Sequence, residues 1–301
     1  MLYDIIIVGG GPAGLTAALY ARRSNKSVLL LDKDTVGGQI TFSPKVENIP
    51  GFLSVTGNEF AEKMMDQVLE QGAELDMCEV TGIRDGEVKT VITDEGEFQA
   101  RAVIIATGAK HRLLGLPKEE GFIGNGISFC AVCDGAFYQD KTVAVIGGGN
   151  SALVEANLLA DHAKKLYIVQ NLDFLTGEEK LQKQLLARDN VEVILGTTVD
   201  SLMGEDTFEG IVMNREADGT KTPLPLDGMF IAIGLIPQNE AFADVMELNQ
   251  QGYADSDENC LTKTPGVFVA GDCRRKNIRQ VTTAAADGAI AALAACKYLD
   301  K

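Results

Sequence analysis

The stretch that most limits what this chain can fold into is Ile5-Ile6-Ile7-Val8 followed at once by Gly9-Gly10-Gly11-Pro12-Ala13-Gly14. Four apolar residues in succession read as a parallel strand buried on both faces, and the glycines end it in a turn that opens a helix. The pattern predicts that helix over 12–24 and a second strand over 27–32, whose last residue, Asp32, lies eighteen residues beyond Gly14. In a dinucleotide fingerprint Gly9 allows the tight turn, Gly11 lets the backbone approach a pyrophosphate, Gly14 permits close helix packing, and Asp32 accepts from ribose hydroxyls. A glycine turn that merely joined strand to helix would not need the acid after it. The pattern returns 138 residues later, where Val143-Ala144-Val145-Ile146 runs into Gly147-Gly148-Gly149-Asn150-Ser151-Ala152. Each unit closes on an apolar strand and a glycine, at Ala102 to Gly108 and at Phe230 to Gly234. Internal duplication accounts for both. The chain therefore reads as α/β, with two Rossmann-like dinucleotide-binding domains, the second inserted into the first. The first domain is expected to take residues 1–112 and 240–301, and the insert 115–237.

Near the start of the insert the chain reads Ser128-Phe129-Cys130-Ala131-Val132-Cys133-Asp134-Gly135. Two thiols three positions apart can close a disulfide and reopen it. A helix predicted over 131–138 would set the Cys133 sulfur against the partial positive charge of a helix N-terminus and favour its thiolate, the reactive form. Asp134 places a carboxyl within reach of a proton that must enter or leave as the disulfide breaks. A zinc site would need a second Cys or His pair, but Cys78, Cys260, Cys273 and Cys296 are scattered singly and the histidines are His111 and His162 alone, so no metal is expected. A purely structural disulfide is disfavoured in a cytosolic protein. Cys130, Cys133 and Asp134 are thus the candidate catalytic residues.

Acidic residues outnumber basic ones by 43 to 27, a balance that repels phosphate backbones and anionic membranes. No apolar run approaches a membrane span, and Met1-Leu2-Tyr3-Asp4 lacks the basic start of a signal peptide, so a cytoplasmic protein with reduced thiols is expected. A helix over 58–71 carries Phe60, Met64 and Val68 at core spacing. Residues 110–117 and 235–239 read as linkers, and the tail ends in an Ala-rich helix over 281–299.

A dinucleotide fold interrupted by a similar fold, with Cys130-Ala131-Val132-Cys133-Asp134 near the start of the insert, resembles the low-molecular-weight thioredoxin reductases along almost the whole chain. The resemblance implies FAD held by Gly9, Gly11, Gly14, Asp32, Gly38, Gln39, Asn48, Thr107 and Gly108. It implies Asp272 on the ribityl chain and Arg279, Gln280 and Val281 beside the isoalloxazine. It further implies a homodimer in which Cys133 faces the flavin C4a, Cys130 attacks the disulfide of thioredoxin, and Asp134 handles protons.

One departure bears on the electron donor. Where that family carries a His-Arg-Arg motif and a further Arg for the 2′-phosphate of NADPH, this chain has Gln170-Asn171-Leu172-Asp173-Phe174-Leu175-Thr176. No arginine remains, Asp173 would repel a phosphate, and Gln170 stands where the carboxylate of an NADH site belongs. Neither nicotinamide cofactor is supported. The resemblance extends to a ferredoxin-dependent subset of these flavoproteins. A donor near about −400 mV lies roughly 130 mV below thioredoxin, about 6 kcal/mol downhill for two electrons. Arg274-Arg275-Lys276 with Arg279 is the densest cationic run and the expected docking surface for an acidic ferredoxin. The competing readings are an NAD(P)H-dependent thioredoxin reductase with an atypical nicotinamide site, a nicotinamide–ferredoxin-type flavin oxidoreductase, and a non-enzymatic FAD-binding redox sensor.

Overall fold

Ile5, Ile6 and Ile7 are wholly buried because the strand that carries them, β1 (Leu2–Val8), runs through a sheet covered on both faces. Ile5 and Ile7 join one hydrophobic cluster, while Ile6 and Val8 join the cluster on the opposite face. The computed structural model describes residues 1–43 and 45–301. It divides into two units, Met1–Lys110 with Ile236–Lys301, and His111–Leu235.

In the first unit β1 leads through the glycine turn into α1 (Pro12–Arg23), with Pro12 in its first turn, and returns as β2 (Val28–Asp32), parallel to β1. Next comes α2 (Gly57–Glu70), started by Thr56, whose hydroxyl accepts the Glu59 N–H at 3.1 Å. Its Phe60 and Val68 are buried and Met64 partly so. There follow β3 (Glu74–Met77), β4 (Val80–Arg84), β5 (Lys89–Thr93), β6 (Glu97–Ile105) and β7 (Ala109–His111). β6 serves three partners because it is long: its first residues pair antiparallel with β5, residues 99–105 pair parallel with β1, and its last residues meet a further parallel strand described below.

The second unit repeats the plan. Its elements are α3 (Glu119–Phe122), β8 (Ile127–Ser128), α4 (Ala131–Asp134), β9 (Thr142–Ile146), α5 (Asn150–Ala160), β10 (Lys165–Val169), α6 (Glu179–Leu186), β11 (Val191–Ile194), β12 (Thr197–Met203), β13 (Gly210–Arg215), β14 (Lys221–Pro225) and β15 (Gly228–Ile231), after which β16 (Leu235–Pro237) returns the chain to the first unit. A parallel sheet in the order β11-β10-β9-β15-β8 is flanked by the antiparallel β12-β13-β14. Val143 and Val145 enter one core and Ala144 and Ile146 the other, as in β1. The helix expected over 131–138 is α4 continued by a 3-10 turn, Gly135–Tyr138. The two expected linkers contain strands instead, since β7 and β16 pair as a two-stranded sheet and satisfy each other's backbone groups.

Returning to the first unit, the chain adds β17 (Val267–Val269) beside β6 and ends in α7 (Val281–Leu299). α7 is Ala-rich because it lies almost in backbone contact with α1. A Cβ on Gly288 would fall 2.1 Å from the Ala13 carbonyl oxygen. Among the described residues no helix is long and apolar enough to cross a membrane.

α7 also carries a buried carboxylate that organises the loop after β17. Asp287 Oδ2 accepts the Gly271 N–H at 3.0 Å, Arg274 Nε at 2.8 Å and Lys276 Nζ at 3.0 Å, and Oδ1 accepts Arg274 Nη2 at 3.0 Å. Burial alone would raise the Asp287 pKa, but the hydrogen bonds from Arg274 and Lys276 outweigh it and hold the carboxyl below its ordinary value. This overturns the expected docking run. Arg274 is buried and Lys276 nearly so, both committed to Asp287, while exposed Arg275 pairs with Asp255 at 3.0 Å.

Two outcomes follow from this packing. Helix propensity alone predicts that Gly288→Ala stabilises by up to about 1 kcal/mol. The Ala13 carbonyl makes it an overpacking change instead, so it is expected to lower unfolding free energy by about 1–3 kcal/mol in urea, and a gain in stability would contradict the close approach. Asp287→Ala leaves buried Arg274 without a carboxylate and Lys276 with only the Asp272 carboxylate at 3.9 Å, and is expected to cost about 3–5 kcal/mol. Because the folded pKa of Asp287 is depressed, its contribution is present above the unfolded carboxyl pKa and is lost as pH falls through the folded value, so the wild-type advantage over the variant should shrink in acid.

Candidate functional site

The first glycine turn builds a cradle open to a ligand. Gly9 holds φ +108°, and a Cβ there would meet the Ala106 carbonyl oxygen at 2.4 Å; a Cβ on Gly14 would lie 1.8 Å from the Gly9 oxygen. Gly11 ends the turn as N-cap of α1 with no side-chain cap, and its ideal Cβ meets nothing within 4 Å. Free backbone N–H groups thus face open space at a helix N-terminus, where a phosphate group is well accommodated. Asp32 is already engaged: Oδ2 accepts the Gly10 N–H at 2.5 Å and Oδ1 the Asp34 N–H at 2.9 Å. A carboxylate keeps further lone pairs, so shaping the turn does not prevent it from accepting a ribose hydroxyl.

Around this turn the remaining expected cofactor residues converge within the first unit. Gly38, at φ +63°, passes 3.3 Å from the Gly11 Cα measured at its ideal Cβ. Gln39 donates to the Ala109 carbonyl at 2.9 Å, and Asn48 donates to Gln280 at 3.1 Å. Gln280 is the N-cap of α7 and Val281 its first residue. The Arg279 guanidinium lies 4.4 Å from the Tyr253 ring centroid, and its Nε donates to the Asp272 carbonyl at 3.4 Å. Gly108 holds φ +68° with open space at its Cβ. Asp272 Oδ1 is buried with no hydrogen-bond partner, and burial pushes its pKa up against the pull of Lys276 and Arg279. Such an oxygen is completed by a donor such as a hydroxyl.

Thr107 is held from a direction the sequence did not disclose. Its hydroxyl donates to Asn239 Oδ1 at 3.3 Å, and wholly buried Asn239 donates to the carbonyls of Gly252 at 2.9 Å and Cys273 at 2.7 Å. Asn239 therefore ties the turn after β6 to the loop after β17. The sequence offers only a polar residue just past the apolar run Leu235-Ile236-Pro237 as a signal.

In the second unit Cys130 and Cys133 are joined as a disulfide with Cα atoms 5.3 Å apart. The helix begins at Ala131 as expected, but the sulfur it favours is the other one. Cys130, not Cys133, is the N-cap of α4, and its Sγ accepts the Cys133 N–H at 3.2 Å. The donor that favours a thiolate is aimed at Cys130. Ser128 Oγ donates to Asp134 Oδ2 at 2.6 Å and accepts the Cys130 N–H at 3.2 Å, leaving Asp134 Oδ1 buried without a partner. Burial raises the Asp134 pKa, with the Ser128 hydrogen bond opposing it.

Two other titratable groups nearby are unsuited to proton transfer at neutral pH. His111 stacks on Phe129 at 4.4 Å, and burial pushes its pKa down to about 4, so it is neutral and not a proton source. Burial pushes the Tyr138 phenol up to about 12. Glu155, on α5, accepts the Ala131 N–H and was not singled out by the sequence.

The second glycine turn has the same backbone but different surroundings. A Cβ on Gly148 would meet the buried Gln170 amide at 2.8 Å, as one on Gly10 would meet Asp32 at 3.0 Å. The Thr176 and Gly177 N–H groups return to the Gly148 carbonyl at 2.9 and 3.0 Å, and Asn150 Oδ1 accepts the Glu178 N–H at 2.7 Å. Leu172, Asp173 and Phe174 are exposed. The Glu178 carboxylate lies 3.5 Å from Asn150 Nδ2, at the first turn of α5, where a nucleotide phosphate would sit.

Comparison with known proteins agrees with this geometry. Residues 3–288 match the family model described as pyridine nucleotide-disulphide oxidoreductase. A thioredoxin reductase of Listeria monocytogenes is 40% identical over all of this chain and 95% of its own length. A Clostridium pasteurianum protein described as a 34.2 kDa protein in rubredoxin operon is 42% identical over 98% of this chain and 97% of its own. The crystal structure of thioredoxin reductase from Streptococcus pyogenes superimposes with a TM-score of 0.93 at 39% identity, covering 99% of this chain and 98% of the other. The chain belongs to the pyridine nucleotide-disulphide oxidoreductase family, within its low-molecular-weight thioredoxin reductase group.

Proposed function

We propose that this chain is an FAD-dependent reductase of thioredoxin that takes its electrons from a ferredoxin and not from NADPH. The observation that carries the reading is a disulfide closed over the first turn of a helix, Cys130 to Cys133, beside a buried carboxyl, Asp134, with one oxygen unpartnered. The residues present fit FAD: open space before Gly11 suits its pyrophosphate, and the orphaned Asp272 oxygen suits a ribityl hydroxyl. When bound, FAD supplies a store that is filled by single electrons and emptied in pairs. Gly9, Gly11, Gly14, Asp32, Gly38, Gln39, Asn48, Thr107, Gly108, Asp272, Arg279, Gln280 and Val281 would hold it. The reading includes a homodimer and a cytoplasmic setting, in which the four buried free cysteines stay reduced.

The thiol chemistry balances as follows. Two electrons break the Cys130–Cys133 bond and leave two sulfurs that share one proton. The Cys130 thiolate, stabilised by the Cys133 N–H, attacks the target disulfide, forming a mixed disulfide and expelling a target thiolate that takes the Asp134 proton. Cys133, which held the shared proton, gives it to the Asp134 carboxylate and attacks the Cys130 sulfur as a thiolate, re-forming the original bond and releasing the second target sulfur, which takes that proton. The target leaves with two electrons and two protons, and Asp134 recovers its proton from solvent.

The donor assignment rests on the second glycine turn. Each lost charge-assisted contact to a phosphate is worth about 1.5–3 kcal/mol, so losing two or three costs on the order of two to six decades of NADPH affinity. The Glu178 carboxylate adds repulsion at the first turn of α5, and exposed Asp173 adds another negative charge just after β10. The intact glycine backbone favours weak NADH use as the second reading, with Gln170 and Asn171 offered to a ribose.

Stopped-flow flavin reduction with NADPH, NADH and reduced ferredoxin side by side is expected to be fast with ferredoxin and at least about a hundredfold slower with NADPH. Reduction by micromolar NADPH at the rate of turnover would sink the ferredoxin assignment. Cys130→Ser and Cys133→Ser are each expected to retain FAD, seen as the yellow flavin spectrum, and to lose thioredoxin reduction altogether. Full activity in either variant would remove the pair from the mechanism.

A further inference from the structure

We propose that Lys276 is a positioning residue for the cofactor: its ammonium serves the Asp287 and Asp272 carboxylates together, so that Asp272 meets a ribityl hydroxyl as an anion. This inference rests on the FAD reading above. Lys276 Nζ donates to Asp287 Oδ2 at 3.0 Å and stands 3.9 Å from Asp272 Oδ1, the oxygen that is buried without a hydrogen-bond partner. The lysine side chain is 10% exposed, so its charge is shielded from solvent and acts on these two groups.

Charge in the loop after β17 balances when Asp272 is counted with Lys276. Arg274 grips Asp287 with two nitrogens, Nε on Oδ2 at 2.8 Å and Nη2 on Oδ1 at 3.0 Å, and that pair is neutral by itself. Lys276 adds a second cation, and the carboxylate left to match it is Asp272. The other groups that face Asp272 do less. Arg279 lies over the Tyr253 ring at 4.4 Å and donates to the Asp272 backbone carbonyl, not to its carboxylate. Cys273 in the same turn, and Cys260, whose Sγ lies 3.6 Å from the Asp287 carbonyl, are thiols that burial pushes up to about 11 and about 12, so both stay uncharged. From α7 comes Asp287, whose like charge opposes that of Asp272, and α1 meets the turn through apolar Ala13.

The separation of 3.9 Å suits this role. It is too long for a hydrogen bond, so Lys276 lends its charge to Oδ1 without taking the lone pairs a ligand needs. Burial favours a neutral Asp272, and the Lys276 charge is the largest influence against it. A neutral carboxyl would bring a proton of its own to the hydroxyl, whereas the anion offers a charged acceptor, which makes the stronger hydrogen bond. FAD is therefore held above the pH at which Asp272 protonates and let go faster below it.

Lys276→Gln tests this, because it removes the charge and keeps a donor for Asp287. FAD release from the diluted holoenzyme is followed as recovered flavin fluorescence, at each pH where circular dichroism shows an intact fold. The wild-type rate is expected to climb as pH falls through the Asp272 value. In Lys276→Gln the climb should begin about one pH unit higher or more, with rates in alkaline buffer within about threefold of wild type. Lys276→Arg should return it towards the wild-type position, and Asp272→Asn should release FAD fast with no such climb. Lys276→Met, which keeps the packing of the stem, reads the same shift should Lys276→Gln fold poorly. Release quickened by one factor at every pH would show that Lys276 only packs the loop, and an unmoved climb, or one that persists in Asp272→Asn, would equally overturn the assignment. If Asp272→Asn held FAD as firmly as wild type, the placing of FAD on Asp272 would fail; if it released FAD fast while Lys276→Gln showed no shift, this inference alone would fail.

Discussion

The first unit depends on one approach of backbone to backbone: the Gly9 carbonyl oxygen stands where a side chain on residue 14 would begin, 1.8 Å from the ideal Cβ. That contact seats α1 against the end of β1 and points its N-terminal N–H groups at the space in front of Gly11. The helix can be that close only because its other side is equally bare, with Gly288 of α7 passing the Ala13 carbonyl. Gly9 and Gly14, with Gly288 from the far end of the chain, therefore set the depth of the cradle, and the alanines of α7 follow from the same closeness. The second unit relaxes the requirement, since Ala152 occupies the place of Gly14 and the contact becomes a 3.4 Å meeting with the ideal Cβ of Gly147.

Electrostatics divides the labour between the units. In the first, charge is consumed internally, with Asp287 collecting Arg274, Lys276 and the Gly271 N–H so that the neighbouring Asp272 is left with an oxygen free for a ligand. In the second, Asp134 lies beside the disulfide with one oxygen buried and unpartnered, and burial raises its pKa. Buried unpaired charge would be costly in both places, and each resolves it in the way its chemistry needs.

Much of the architecture was legible because its signals are local. Strand, glycine turn, helix and acid lie within about thirty residues of one another in a Rossmann unit, and the boundaries of α7 are marked by Gln280 before an unbroken Ala-rich run. What escaped notice involves partners distant in sequence. Asn239 meets Thr107 across 132 residues, Glu155 meets Ala131 across 24, and Asp287 meets Arg274 across 13. A residue's type announces that it needs a partner but not which one arrives. The basic run misled for the same reason: the sequence displays three charges in a row, while only the fold shows that two of them face inward. The helix-end effect assigned to Cys133 belongs to Cys130 because a four-residue helix has its cap at the first cysteine, a distinction of three residues that helix propensity cannot resolve.

The two glycine turns separate what the fold requires from what a ligand requires. Gly147, like Gly9, has a positive φ and a carbonyl of the closing strand within 2.6 Å of its ideal Cβ, so substitution there would strain the sheet whether or not a nucleotide ever bound. Recognition residues carry no such obligation. Asp32 and Gln170 each lie over the middle glycine of their turn, yet one keeps an anionic group suited to ribose and the other a neutral amide spent on packing and on the Phe174 carbonyl. Glycine spacing therefore reports the strand-turn-helix geometry, and the residues at the end of the second strand report the ligand. In this chain both turns share the geometry, and the residue over the middle glycine differs, Asp32 in the first and Gln170 in the second.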